Sequence, residues 1–175
     1  MKKIMRLMYT SILLTGVLTT QNAHAMEKKN VEKQNVLMAS LTASLATLTQ
    51  DIGNVPNELM MVAEELGLEI TGAQIWQYVG SDGQPDTRFR LDICLPVKEK
   101  KGDPGKFRFE VLPEFSCISE IHKGAWSNLG NTYQRLMGEM TRKSIFPTGT
   151  SREIYQNCDF DNPENCITEV QVEIR

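Results

Sequence analysis

The four residues Gln74-Ile75-Trp76-Gln77 return as Glu153-Ile154-Tyr155-Gln156, an interval of 79 residues. Their flanks return as well: Leu91-Asp92-Ile93-Cys94-Leu95 follows the first copy much as Thr168-Glu169-Val170-Gln171-Val172 follows the second, with Asp92 and Glu169 standing 77 residues apart. Two nearly equal intervals describe a duplicated unit. Each copy must then form the same elements in the same order and bury its apolar face, and the boundary between copies is a common place for a ligand. The copies differ at one informative position, a neutral amide at Gln74 and a carboxylate at Glu153. A pseudo-symmetric cleft would carry negative charge on one side only.

Residues 1–25 read as a secretory leader. Lys2, Lys3 and Arg6 form a basic start, Ser11 to Val17 a short apolar run, and Ala23-His24-Ala25 a small-residue cleavage pattern, so the expected mature chain begins at Met26 in the periplasm or outside the cell. No later apolar run approaches the roughly 20 residues that span a bilayer, and stable membrane insertion is not expected. Losing the leader moves the formal charge from −3 to 16 basic against 22 acidic side chains, a balance that disfavours nucleic acid as a partner.

Four cysteines lie outside the leader and would meet an oxidising compartment. Cys158 and Cys166 bracket a turn-rich run between two strand-like segments, which predicts a disulfide closing a hairpin; Cys94 and Cys117 then pair by elimination. No C-x-x-C spacing is present and the histidines are only His24 and His122, so no metal is expected. Nothing recommends haem, nucleotide or another cofactor.

Met26 to Asn35 is charged and lacks apolar periodicity, which predicts a flexible mature N-terminus. The alternation Leu37, Ala39, Leu41, Ala43, Leu45 suggests a strand. Leu37, Leu41, Leu45 and Leu48 also fit a helical face, but crowding by Ser and Thr and the strand in the matching place of the second copy favour the strand. Asn54-Val55-Pro56 opens a helix that Gly67 ends, and strands follow over 73–79 and 88–97. Lys98 to Lys106 is a charged connector. The second copy has strand-like runs at 107–112 and 115–122 interrupted by Pro113, a helix from Ser127 or Asn128, and strands over 152–158 and 167–174, with Pro147 and Gly149 in the connection before them. The fold class is α+β: tandem β-α-β-β units, 36–97 and 107–175, with an antiparallel sheet and a cleft at the pseudo-twofold axis.

The series Ile121-His122-Lys123-Gly124-Ala125-Trp126, Leu129, Leu136, Arg152-Glu153-Ile154-Tyr155, Asn162-Pro163 and Ile167 to Val172 resembles the GyrI-like small-molecule-binding family. That family includes the effector-binding domains of AraC- and MerR-type transcription regulators. The likeness runs from roughly Ala43 to Arg175 and is most specific in the second half. It implies a duplicated fold whose halves meet at a largely apolar cleft, in which a buried glutamate receives lipophilic cations among aromatic rings; Glu153 matches that glutamate. Ala125 stands where the family usually has proline, Trp126 where it has tyrosine, and Tyr133 where tryptophan is common.

On period-2 geometry Glu153 shares a strand face with Tyr155 and Asn157, and Trp76 shares one with Tyr78. A carboxylate among rings favours cations by charge pairing and cation–π contact. Glu153, Tyr155, Trp126, Trp76 and Tyr78 are therefore the candidate ligand contacts, with Tyr133 and Phe146 as weaker ones; Glu153 paired with Arg152 at a solvated strand end, and Trp126 or Trp76 as core anchors, are the alternatives. His122 lacks a partner at triad or ligand spacing and reads as a satisfied strand-end histidine. No serine sits in a G-x-S-x-G setting, and no catalytic residue is assigned. The leading function is an exported protein that captures an amphipathic or cationic organic ligand. Two others stay open: a hydrolase of reactive small-molecule toxins using Glu153 as base, as in some family members, and a modulator of another envelope protein.

Overall fold

The computed structural model describes residues 26–158 and 162–175; the expected leader lies outside them. Eight strands, β1 (Glu27–Val31), β2 (Gln34–Ala43), β3 (Ile75–Val79), β4 (Phe89–Pro96), β5 (Arg108–Leu112), β6 (Phe115–Lys123), β7 (Pro147–Asn157) and β8 (Ile167–Ile174), form one antiparallel sheet in the order β1-β6-β8-β7-β3-β4-β2-β5. The helices are α1 (Leu48–Ile52), α2 (Val55–Glu65) and α3 (Leu129–Arg142). The strand order is palindromic under the duplication, β1 answering β5, β2 answering β6, and so on inward. At its centre Ile75 faces Ile154 across β3 and β7, so the pseudo-twofold axis passes between the two isoleucines of the repeated motif.

Each copy contains the expected β-α-β-β core, β2-α2-β3-β4 and β6-α3-β7-β8, preceded by one further strand that crosses to the other copy. β1 pairs with β6, and β5 pairs with β2. The segment expected to be flexible, Met26 to Asn35, is thus largely strand. Its pairing is made by main-chain groups, which charged side chains do not prevent, and Lys29 adds an ion pair to Glu169. Charged side chains on such an outer strand also discourage further chains from adding to it. Pro113 and Glu114 separate two distinct strands, β5 and β6, and Pro147 and Gly149, expected in a connection, belong to β7.

Two-residue links decide the curvature. Glu32-Lys33 joins β1 to β2 and Pro113-Glu114 joins β5 to β6, yet each link connects strands six places apart in the sheet. On a flat sheet six steps of about 4.8 Å would separate them by roughly 29 Å, whereas three peptide units reach only about 10 Å. The sheet therefore curls until its two edges approach. Helix α2 packs on β2 and β4 and helix α3 on β6 and β8, both on the convex face. That face carries the two larger cores, one including Leu37, Leu59, Leu91 and Phe89, the other Leu136, Met140, Val170 and Val172.

The concave face is buried by the curl itself. Val36, Met38, Ile75, Cys94 and Leu112 pack there, together with an unusual number of polar groups. Arg152 is 1% exposed; its guanidinium lies 3.8 Å over the Phe115 ring and its Nε donates to Gln77 Oε1 at 2.9 Å, while Nη1 has no hydrogen-bond partner among the described residues. Arg152 thus does not pair with Glu153, which points to the opposite face. Cys94 and Cys117 also lie here, fully buried, and burial pushes their thiols up to about 12 and about 11. They sit on β4 and β6, separated in the sheet by β3, β7 and β8, and no disulfide joins them. Cys158 and Cys166 do meet at the β7–β8 hairpin, their sulfurs 3.6 Å apart.

Helix α2 begins after Asn54 with Pro56 in its first turn and ends before Gly67, whose φ of +60° fits the expected terminator. Short α1 was not expected. In the connector, Gly102 has φ +80° and a Cβ there would fall 2.8 Å from Leu66 Cδ2. Gly102→Ala is expected to lower stability by about 1–2 kcal/mol, measured as an earlier denaturant midpoint at unchanged slope.

Candidate ligand-binding cleft

On the convex face, between helix α3 and the β3–β4 loop, lies a cavity of about 610 Å³, a size ordinary for a small organic ligand. Helix α3 presents two stripes. Leu129, Thr132, Leu136 and Met140 recur at helical spacing and are buried, while the neighbouring Gly130, Tyr133, Gln134 and Met137 line the cavity. The helix is fixed from behind by Arg135, which donates to Glu120 Oε1 and to Thr132 Oγ1. His122 completes this support: its Nδ1 lies 2.9 Å from Thr132 Oγ1 and its Nε2 3.1 Å from the Ala125 carbonyl, which it can only donate to. It is the satisfied strand-end histidine that the spacing suggested, and it anchors the turn bearing Trp126.

Glu153 forms the floor. Directly across from Trp76 on β3, it is only 4% exposed. Its Oε2 accepts from the hydroxyls of Tyr78, at 2.9 Å, and Tyr155; Oε1 lies 3.1 Å from the Tyr133 hydroxyl. The Trp126 indole N–H donates to Tyr155 Oη at 2.9 Å, so a relay of donors runs from Trp126 through Tyr155 to the carboxylate. Burial raises the Glu153 carboxyl above its usual value, and the tyrosine hydroxyls pull it partly back. The three phenols are held well above 10, first by burial and then, for all three, by the Glu153 charge, so they remain protonated donors. Three O–H donors converging on two oxygens suit an acceptor-only carboxylate.

The opposite side of the pseudo-twofold axis is closed. Gln74 Nε2 donates to the Pro56 carbonyl at 2.8 Å and its Oε1 accepts from the Trp76 indole at 3.2 Å. Trp76 in turn packs edge-on to Trp126, centroids 5.9 Å apart, and against Tyr155 at 4.8 Å. The amide–carboxylate difference read in the duplication therefore separates a plugged half from an open one.

Of the five expected contacts, Glu153, Trp126 and Tyr78 line the cavity, whereas Trp76 and Tyr155 stand behind them as supports. Tyr133, rated weaker because an aromatic at helical spacing is commonly core, is a lining residue and a direct partner of Glu153. Phe146 is 71% exposed and absent from the lining. Asp82 and Ser151 also line the cavity and were not among the expected contacts; the run Ser81-Asp82-Gly83 is itself a turn signature, which accounts for that aspartate without a ligand.

A family model for the GyrI-like small molecule binding domain matches residues 24–175. The chain belongs to the GyrI-like family. Among solved structures, the EcmrR C-terminal domain shares 20% identity with this GyrI-like chain at a TM-score of 0.71, covering 87% of this chain and 98% of that one. SAV2435 bound to tetraphenylphosphonium shares 12% at 0.60, covering 87% and 93%. A hydrolase encoded by lin2189 from Listeria innocua shares 13% at 0.61, covering 86% and 91%. At these identities the likeness speaks for the fold, an α+β curled sheet with helices on one face. No curated protein is similar enough to match. Among the described residues of this GyrI-like domain no helix is long and apolar enough to cross a membrane, and no cluster of His, Cys, Asp and Glu could hold a metal ion.

Proposed function

We propose that this GyrI-like domain is exported, processed after Ala25, and captures an amphipathic or cationic organic molecule in the α3 cleft, releasing it unaltered. One observation carries the reading: a buried carboxylate, Glu153, opens onto a cavity whose lining contains no lysine, arginine or histidine. An anion entering would meet uncompensated repulsion, while a cation would bring Glu153 the counter-charge its burial denies it. Apolar walls from Leu45, Leu48, Leu129, Met137 and Val172 suit an organic body around the charge. Tetraphenylphosphonium in the SAV2435 structure is a ligand of that kind in a relative of the same fold.

An oxidising compartment would join Cys158 and Cys166, whose sulfurs already approach each other. Intact-mass measurement of the exported chain with and without reductant, and its N-terminal residue, test the compartment and the leader together. A thermal-shift screen against lipophilic cations and neutral aromatics tests the ligand class. A cation at 100 times its Kd should add about 2.7 kcal/mol of stability. Selective stabilisation by cations, with the ligand recovered unchanged in mass, is the expected result; stabilisation by neutral compounds alone, or turnover, would overturn it.

A further inference from the structure

We infer that the cleft is selective for elongated molecules bearing a cationic centre at each end, Glu153 receiving one at the floor and Asp82 the other at the mouth. The inference rests on the cation reading above and extends it by naming a second charged contact and a narrower ligand class.

The charge pattern of the cavity is its first support. Glu153 and Asp82 are the only carboxyl-bearing side chains of the lining, which holds no lysine, arginine or histidine. Between them the wall is apolar or hydroxyl-bearing, through Leu45, Leu48, Tyr78 and Met137. A ligand with one cationic head and an apolar tail would satisfy the floor and leave the mouth carboxylate facing a hydrocarbon end.

Separation is the second. Glu153 lies opposite Trp76 on β3, and the chain runs from Trp76 along that strand through Tyr78 and out to Asp82, six positions on. At about 3.3 Å per residue the backbone path from Trp76 to Asp82 is at most ~20 Å long, with the Gly80 turn shortening it. A single cationic centre seated at Glu153 leaves Asp82 without a cationic partner; a ligand with a second centre further along serves both.

The third is that Asp82 is held in place. Its Oδ1 accepts from the Gln84 N–H at 2.9 Å and its Oδ2 from the Thr87 hydroxyl at 3.0 Å, which hold the carboxylate below the ordinary carboxyl range. Each oxygen retains a lone pair for a further partner, and no salt bridge engages Asp82 among the described residues. A fixed, ionised, unneutralised carboxylate at a cavity mouth attracts positive charge without the cost of ordering it first.

The two carboxylates should differ in strength. Asp82 is solvent-exposed, so its contribution is screened by salt and amounts to about 5-fold in affinity, while Glu153 acts in a low-dielectric floor that salt reaches poorly. Calorimetric titration with decamethonium and with decyltrimethylammonium separates them, because the pair share a chain length and differ in the second head. At low salt decamethonium is expected to bind about 5-fold tighter, an advantage that shrinks at high salt. Asp82→Asn, which keeps the Oδ1 acceptor of the loop, should bring the ratio of the two affinities towards one; Glu153→Gln should weaken both probes. Equal affinities in the unaltered protein, or a ratio that survives Asp82→Asn, would overturn the inference while leaving the cation reading intact. Failure of both probes to bind would overturn the two together.

Discussion

Glu153→Gln is expected to lower affinity for a lipophilic monocation such as tetraphenylphosphonium by about 100-fold, while affinity for a neutral aromatic of similar size changes less than about 3-fold. The substitution conserves volume and one acceptor but removes the only buried carboxyl group in the cavity lining. A charge pair desolvated on binding is worth about 2–5 kcal/mol when one partner is removed, and a 100-fold loss, about 2.7 kcal/mol, lies within that range. The pH dependence follows with a definite sign. Folding raises the Glu153 carboxyl above its ordinary value, chiefly by burial. Cation and proton therefore compete for one carboxylate, and affinity should fall about tenfold per unit as pH drops below the raised folded-state value. Stability of the empty protein runs the other way: the contribution from protonated Glu153 is fully present below the unfolded carboxyl's value and is lost as pH rises through the folded one. Melting temperature against pH, with and without ligand, checks both halves. The Gln variant should show a flatter curve, and an unaltered slope would show that another group titrates.

The second large effect is at Arg152. Arg152→Ala should destabilise the protein by about 3–5 kcal/mol, since it empties a buried site, uncovers the Phe115 ring and strips Gln77 Oε1 of its donor. In a domain of this length that is roughly 10 °C or more in Tm. Arg152→Met should cost less than about 1.5 kcal/mol, because the guanidinium forms no ion pair within 4.0 Å among the described residues and leaves Nη1 unsatisfied. Comparable losses in the two variants would mean that the charge, not the volume, holds the concave face together.

The residues that repeat across the two copies told more than any composition. Ile75 and Ile154, aligned by the duplication, meet across the central strand pair, and the amide–carboxylate difference at positions 74 and 153 became a closed and an open half. Strand β8 coincides with its expected span because its apolar alternation is undisturbed. Strand β1 was not legible, since Glu27, Lys28 and Lys29 carry no apolar pattern and its place is fixed by main-chain pairing to β6. Tyr133 ranked only as a weaker candidate for a related reason: the helical spacing that marks a buried stripe is the same for the adjacent stripe facing a cavity. Strand order is a property of the whole chain, and from it comes the curl that no local pattern announces.

The reciprocal strands, β1 lent to the second copy and β5 to the first, tie the halves like two hands each gripping the other's wrist. A clam-shell motion of one half against the other would have to tear β3 from β7 and unclasp both crossing arms at once. A guest of the proposed kind would therefore come and go through the rim, between the 81–86 loop and the solvent side of α3, and its residence time would be set by that doorway while the frame holds still.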